Sequence, residues 1–116
     1  YIDVKQDSRI AETQNILCES KVYYKADNCY CKGNMQSDYD VLAIISTTAQ
    51  KIWFIDFALL KKHYKEGRYY TKDHGEQITY GTLFPMWKAR KYNMVIAEID
   101  YIEKNGQFYP ENIVRG

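Results

Sequence analysis

The segment VLAIISTTAQKIWFID (residues 41–56) decides the fold of this chain. Residues 41–46 are almost entirely apolar, which is typical of a short β-strand that is buried on both faces. Residues 51–55 form a second apolar strand, and the Thr-Thr-Ala-Gln between the two strands favours a hairpin connection. Asp56 can cap a helix that runs to about Glu66, because its carboxylate accepts hydrogen bonds from the first backbone N–H groups. The segment therefore predicts the centre of a sheet followed by a helix.

The remaining elements follow from periodicity and turn residues. In the helix, Phe57, Leu60 and Tyr64 recur at helical spacing and should face the core, and Gly67 is a natural stop. Alternating or β-rich stretches predict three further strands, at residues 1–5, 16–24 and 94–101. A single helical turn is predicted at residues 87–91. The other segments are polar or interrupted by glycine and are predicted as turns and loops (6–15, 25–38 and 68–81, the last with strand fragments) and as a tail after residue 101.

These elements predict a mixed α/β (α+β) domain with a central mixed sheet of four or five strands flanked by helices. At 116 residues, the chain is the size of one domain (1–116). Its net charge of +1 provides no global basic field, so any contact with nucleic acid must come from a local cluster. No run approaches the roughly 18 apolar residues of a membrane span, so we expect no membrane partner.

The cysteines indicate the cellular compartment, and two of them allow a zinc site as an alternative. There are three (Cys18, Cys29 and Cys31), and an odd number without a dense framework is typical of a reduced, intracellular protein. Cys29 and Cys31 form a Cys-x-Cys, with His63 and His74 available elsewhere. A zinc-dependent module built on this pair is an alternative, and it would need four converging ligands.

The first strand carries the residues best suited to chemistry. Because residues two apart on a strand share a face, Asp3 and Lys5 project together, while Ile2 and Val4 should point into the core. A carboxylate can hold a hard divalent cation such as Mg²⁺, and an adjacent amine can bind phosphate or position water. This combination suits phosphodiester hydrolysis. A surface ion pair on an edge strand is the alternative.

The order of motifs beyond this pair points to a family. DVKQD (residues 3–7) is followed by TQN (13–15) and by ILCE (16–19). SDYDVL (37–42), IWFIDF (52–57) and GTLFP (81–85) come later in the same order. Over about residues 1–86 the sequence resembles the PD-(D/E)XK nuclease superfamily, in particular its phage- and mobile-element-like members. The family has glycine where Gln14 stands here, and more often glutamate where Asp3 stands.

The resemblance implies a restriction-endonuclease-like core and a Mg²⁺- or Mn²⁺-dependent DNA endonuclease in a bacterial or phage-infected cytoplasm. Asp3, the Val4 carbonyl and Glu19 would be the metal ligands, and Lys5 would orient water or phosphate. Asp7 would be an outer acid or a turn residue. The family's first catalytic acid lies on a strand before this pair, so we expect it upstream of Tyr1 in a longer parent protein. A homodimer is expected by analogy, since cutting a duplex favours two active sites.

Other polar clusters leave alternatives open. Basic residues interleaved with tyrosines could grip nucleic acid or form a solvated face (Lys61, Lys62, Lys65, Arg68 and Lys72). Gln6 could contact phosphate or be solvated, and a smaller basic patch has the same two interpretations (Lys88, Arg90 and Lys91). Glu98 and Asp100 share a strand face, which solvent-facing alternation explains better than a metal pair. The alternative function is a catalytically inactive nucleic-acid-binding or assembly protein on a nuclease-like fold.

Overall fold

The computed structural model describes residues 1–116 as a mixed α+β fold built on two β-sheets. The strands are β1 (Ile2–Gln6), β2 (Asn15–Tyr24), β3 (Cys29–Lys32), β4 (Val41–Ser46), β5 (Lys51–Asp56), β6 (Arg68–Asp73), β7 (Gln77–Pro85), β8 (Val95–Lys104) and β9 (Gln107–Arg115). The α-helices are α1 (Ile10–Thr13), α2 (Phe57–His63) and α3 (Met86–Lys91), with 3-10 turns at Asn34–Gln36 and Tyr64–Glu66. None of these helices has the length and apolar character that a membrane crossing needs.

The first sheet contains four of the five predicted strands, whereas the strand predicted at residues 16–24 is β2 of the second sheet. Its five strands run in the order β1-β4-β5-β8-β9, with β1 parallel to β4 and every other pair antiparallel. The predicted β4–β5 hairpin is confirmed, and the strands predicted at residues 1–5 and 94–101 correspond to β1 and β8. Asp56 caps α2 as predicted, since its Oδ1 accepts a hydrogen bond from the Leu59 N–H at 3.2 Å.

The second sheet was not predicted. It is antiparallel, in the order β3-β2-β7-β6. The prediction of a loop at residues 25–38 was wrong, because β3 lies there. Residues 68–81, predicted as a loop with strand fragments, form β6 and the first part of β7. The predicted tail was also wrong, since it forms the end of β8 and all of β9. β3, β6 and β9 are solvent-exposed along nearly their whole length, so they lack the alternation of buried and exposed residues that marks a half-buried strand.

The core lies between the inner face of the first sheet, the second sheet and the helices. It is one cluster of 16 buried residues. Phe57, Leu60 and Tyr64 of the α2 region face it as predicted. Ile16 and Cys18 of β2 and Phe84 of β7 also join it. One face of the second sheet therefore closes the core, and its other face is left available to solvent.

The orientation predicted for β1 was wrong. Ile2 and Val4 point to solvent, each 61% exposed, whereas Asp3 and Lys5 lie half-buried on the inner side. The reason is that α1 and the second sheet pack on the inner side, while the outer face of the first sheet is uncovered next to β1. Alternation identifies the two faces of a strand and does not say which one is covered.

The three thiols differ in solvent exposure, and this difference predicts which of them react. Cys18 is fully buried, and burial raises the pKa of its thiol to about 12, so it should resist alkylation in the native protein. Cys29 and Cys31 are exposed and should react. We expect mass spectrometry after brief iodoacetamide treatment to find Cys29 and Cys31 modified and Cys18 modified only in denaturant. Native labelling of Cys18 at the same rate as Cys29 would contradict this packing of β2.

Candidate active site at the open edge of the first strand

The strand β1 lies at an edge of its sheet, and this exposes part of its backbone. It pairs only with β4: the Tyr1 carbonyl accepts from the Val41 N–H, and the Asp7 N–H donates to the Ile45 carbonyl. Because backbone groups alternate in direction along a strand, the odd-numbered positions point to β4 and the even-numbered positions point away. The Val4 carbonyl therefore faces the open edge, where a ligand can reach it.

Lys5 connects the two sheets at this edge. Its Nζ donates a hydrogen bond to the Leu17 carbonyl of β2 at 3.2 Å and lies 3.8 Å from Glu19 Oε1. The Lys5 and Glu19 side chains are 22% and 27% exposed, so both are partly shielded and still reachable from solvent. The structure thus brings together Lys5 and Glu19, which are 14 residues apart in sequence, and Asp3 lies two residues before Lys5 on the same face.

A β-bulge sets the position of Glu19. The register between β2 and β7 shifts between Glu19 and Lys21, and the Glu19 N–H donates to Asn34 Oδ1 at 2.7 Å. Two glycines allow the backbones to approach closely here: a Cβ on Gly81 would collide with the Cys18 carbonyl, and one on Gly33 would collide with the Glu19 carbonyl. Bulges re-aim side chains near functional sites, and this one directs Glu19 towards Lys5.

Asp3 borders a hollow that sequence reasoning had not assigned to the site. The hollow measures about 250 Å³ and is lined by Asp3, Asp38 and Tyr39 together with the first two residues of the chain. Burial, followed by the negative charge of Asp3 and hydrogen bonding to it, raises the pKa of Tyr39 to about 12. The Tyr39 hydroxyl donates to the Asn34 carbonyl at 3.5 Å, and the shift of its pKa shows that it feels the charge of Asp3. The signal for it was the Asp-Tyr motif that precedes β4.

Three further candidate residues lie in or near the turn that follows β1. Asp7 Oδ1 accepts from the Arg9 N–H at 2.8 Å, which is the turn role considered for it. Gln14 adopts a left-handed conformation (φ 54°) at the end of α1, the conformation that favours glycine. Gln6 is exposed on the strand face that carries Val4, opposite to Asp3 and Lys5.

The available ligands suit a hard divalent cation better than zinc. No group of three or more His, Cys, Asp or Glu side chains converges anywhere in the chain, which leaves the zinc alternative at Cys29 and Cys31 without a ligand set. Mg²⁺ is commonly held by one or two carboxylates, with water and substrate phosphate completing the octahedron. The oxygens of Asp3, Glu19 and the Val4 backbone fit that pattern.

The other polar residues predicted as candidates do not join this site. The helix lysines Lys61 and Lys65 line a separate hollow with Gln36, whereas Arg68 lies on β6 beside the end of β1. Lys62 and Lys72 are exposed and line none of the cavities. The five basic residues are therefore not brought together at a single cavity.

Most of the remaining candidate residues form hydrogen bonds or ion pairs with nearby side chains. Glu98 Oε1 accepts from Trp53 Nε1 at 2.9 Å and from Arg90 at 2.7 Å, and Asp100 lies 3.6 Å from Lys51, so the two acids are not a metal pair. His63 Nδ1 lies 2.6 Å from Glu66 Oε2, and Glu66 Oε1 lies 3.6 Å from Lys88 Nζ. Lys91 is exposed at the end of α3.

Comparison of the chain with protein-family models, with curated proteins and with solved structures found no match. The likeness to nucleases therefore rests on the order of motifs in the sequence, and the site rests on its own geometry.

Glu19 and Glu98 should behave differently when they are removed. Glu19→Ala loses a partly exposed contact of 3.8 Å, so its free energy of unfolding should fall by less than about 1 kcal/mol. Glu98→Ala leaves the indole N–H of the buried Trp53 without an acceptor and should cost about 1–3 kcal/mol. Urea unfolding of both variants checks this. An equally large loss for Glu19→Ala would show that Glu19 is a structural residue.

Proposed function

We propose that this protein is a Mg²⁺-dependent DNA endonuclease of the PD-(D/E)XK type, with Asp3, Lys5 and Glu19 as its catalytic residues. One observation carries the proposal: Lys5 lies against Glu19 and beside Asp3 at an open sheet edge that also presents the Val4 carbonyl. An amine, two carboxylates and a free carbonyl close together suit phosphodiester hydrolysis, because the oxygens can hold a divalent cation and the amine can bind phosphate.

Each residue has a distinct role in the proposed reaction. Asp3, Glu19 and the Val4 carbonyl would hold Mg²⁺ or Mn²⁺, which when bound offsets the charge that develops on the phosphate and makes a bound water more acidic. The Lys5 ammonium has three N–H donors, and one of them is used on Leu17. The remaining donors can bind a phosphate oxygen or orient the attacking water. The Leu17 hydrogen bond fixes the amine in position before the substrate arrives, which reduces the reorganisation needed in the transition state.

Two features support placing this site on a restriction-endonuclease-like core. The first is the central mixed sheet that carries Asp3 and Lys5 on its edge strand. The second is Gln14, which has the left-handed backbone that a glycine adopts easily at the position where the family has glycine. The homodimer and the upstream acid stay predictions.

A catalytically inactive protein that binds nucleic acid is the second candidate. It is favoured by the engagement of Lys5, whose Nζ already has a carbonyl and a carboxylate for partners. A lysine with this environment could be a link between the two sheets and no more. Fold alone does not decide between the two functions, so activity has to be measured.

The proposal predicts metal-dependent cleavage that requires Lys5. We expect the protein to nick or cut supercoiled or branched DNA with Mg²⁺ or Mn²⁺, and Lys5→Ala to slow cleavage by about 10²–10³-fold, because a positioned donor to the transition state is lost. Agarose gels of time courses provide the rates. Lys51→Ala is the matched control, since Lys51 is also a partly exposed sheet lysine 3.6 Å from a carboxylate.

The possible results separate the two candidates. Cleavage that persists at the same rate in Lys5→Ala would remove this residue from the mechanism. Binding of the same DNA with no cleavage by either protein would favour the inactive nucleic-acid-binding protein. An equal loss in Lys51→Ala would indicate a general effect of removing a lysine.

A further inference from the structure

Two neighbouring hollows lie beyond the end of β1. The first measures about 270 Å³ and is lined by Asp7 and Arg9 on one side and by Arg68 and Tyr70 on the other. The second measures about 350 Å³ and is lined by Arg68, Trp87 and Lys88, among others. The two hollows share the lining residues Asn15, Arg68 and Leu83, so they lie side by side. We refer to them together as the β1–α3 groove.

The groove neighbours the candidate active site through Leu17. Its floor contains Leu17 of β2 and Leu83 of β7, which are paired across the second sheet, and Arg68 is paired with Leu83 in turn. Leu17 is also the residue whose carbonyl holds the Lys5 amine. A polymer that lay in the groove would therefore pass the Lys5 amine as it left the groove at β1.

The groove has two unpaired guanidinium groups. The side chains of Arg9 and Arg68 make no hydrogen bond or ion pair with any other residue, unlike Arg90, which pairs with Glu98 at 2.7 Å. Two carboxylates also line the groove: Asp7 in the first hollow, and Glu66 in the second, where it lies 3.6 Å from Lys88. The groove thus retains free cations that suit a phosphate backbone, since a guanidinium binds phosphate through two parallel hydrogen bonds.

Aromatic side chains lie along the same groove. Trp87 is 63% exposed, whereas Trp53, the second tryptophan of the chain, is 2% exposed in the core. Tyr70 borders the first hollow. An exposed indole beside free arginines matches the way proteins hold unpaired bases, by stacking them on aromatic rings while cations follow the backbone. In a duplex the base faces are already stacked and are not available to Trp87.

We propose that the β1–α3 groove binds a single-stranded nucleic-acid segment, with Arg9 and Arg68 on its phosphates and Trp87 stacked on a base. This inference rests on the proposed nuclease function for the identity of the ligand, and it specifies the substrate as DNA with a single-stranded portion next to the cleaved bond. The Lys5 site then acts where this strand leaves the groove.

The experiment measures binding without metal, so that cleavage plays no part. A fluorescein-labelled single-stranded oligonucleotide of about 16 nucleotides is titrated with the protein in EDTA, alongside a duplex of the same sequence, and anisotropy is recorded. We expect tighter binding of the single strand, and quenching of Trp87 emission but not of Trp53 emission. Trp87→Ala should weaken binding by about tenfold, and Trp87→Phe should retain most of it. Arg68→Ala should reduce the slope of log K against log salt by about 0.7.

Arg115→Ala is the matched control, because Arg115 is an exposed arginine on β9, at the opposite edge of the first sheet from β1. It should bind as the wild type does. Equal binding by Trp87→Ala, Arg68→Ala and the control would overturn the inference, as would equal affinity for duplex and single strand. Binding that free phosphate abolishes and that Trp87→Ala leaves intact would overturn it in favour of an anion pocket. A protein that binds in this way and cuts no DNA would support the groove and contradict the proposed nuclease function. A protein that cuts duplex DNA without such binding would support the nuclease function and contradict the groove.

Discussion

The candidate site depends on one constraint, which is that β1 pairs on one side only. Its pairing with β4 fixes the direction of every backbone group, so that the Val4 carbonyl faces the open edge. The same pairing fixes the side chains, so that Asp3 and Lys5 face inwards, where α1 and β2 lie. Within residues 1–116 no strand pairs with the other side of β1, so the Val4 carbonyl and the approach to Lys5 are uncovered there.

The second sheet completes the site and extends it. The bulge in β2 directs Glu19 to Lys5, and the close approach of β2 and β7 at Gly81 allows that bulge. The same sheet carries Arg68 on β6, and α3 follows β7 and presents Trp87, so the groove and the carboxylate come from one structural unit. The proposed groove and the proposed catalytic residues are thereby adjacent: Leu17 lines the groove and holds Lys5, whereas Asp3, Lys5 and Glu19 do not line it. This separation is what allows the groove and the catalytic pair to be tested independently.

Local sequence signals predicted the centre of the fold and not its periphery. The apolar run before residue 46, the second strand and the Asp56 cap are short-range features, and the structure confirms all three. The strand β6 is exposed along most of its length and has no apolar alternation, so its residues predicted only strand fragments within a loop. Of the site, the pairing of Asp3 with Lys5 on one face follows from strand periodicity. The approach of Glu19 to Lys5 and of Arg9 to Arg68 depends on contacts between distant segments, which residue spacing does not encode.

The most direct test of the central claim is the position of a bound cation. Crystals grown or soaked with Mn²⁺ would locate it by anomalous scattering. The account predicts one Mn²⁺ held by carboxylate oxygens of Asp3 and Glu19 and by the Val4 carbonyl, with the Lys5 amine nearby, and its loss in Asp3→Asn. No anomalous density at this edge in well-diffracting crystals, or Mn²⁺ bound elsewhere with Asp3 and Glu19 free, would contradict the assignment of β1 as the active-site strand.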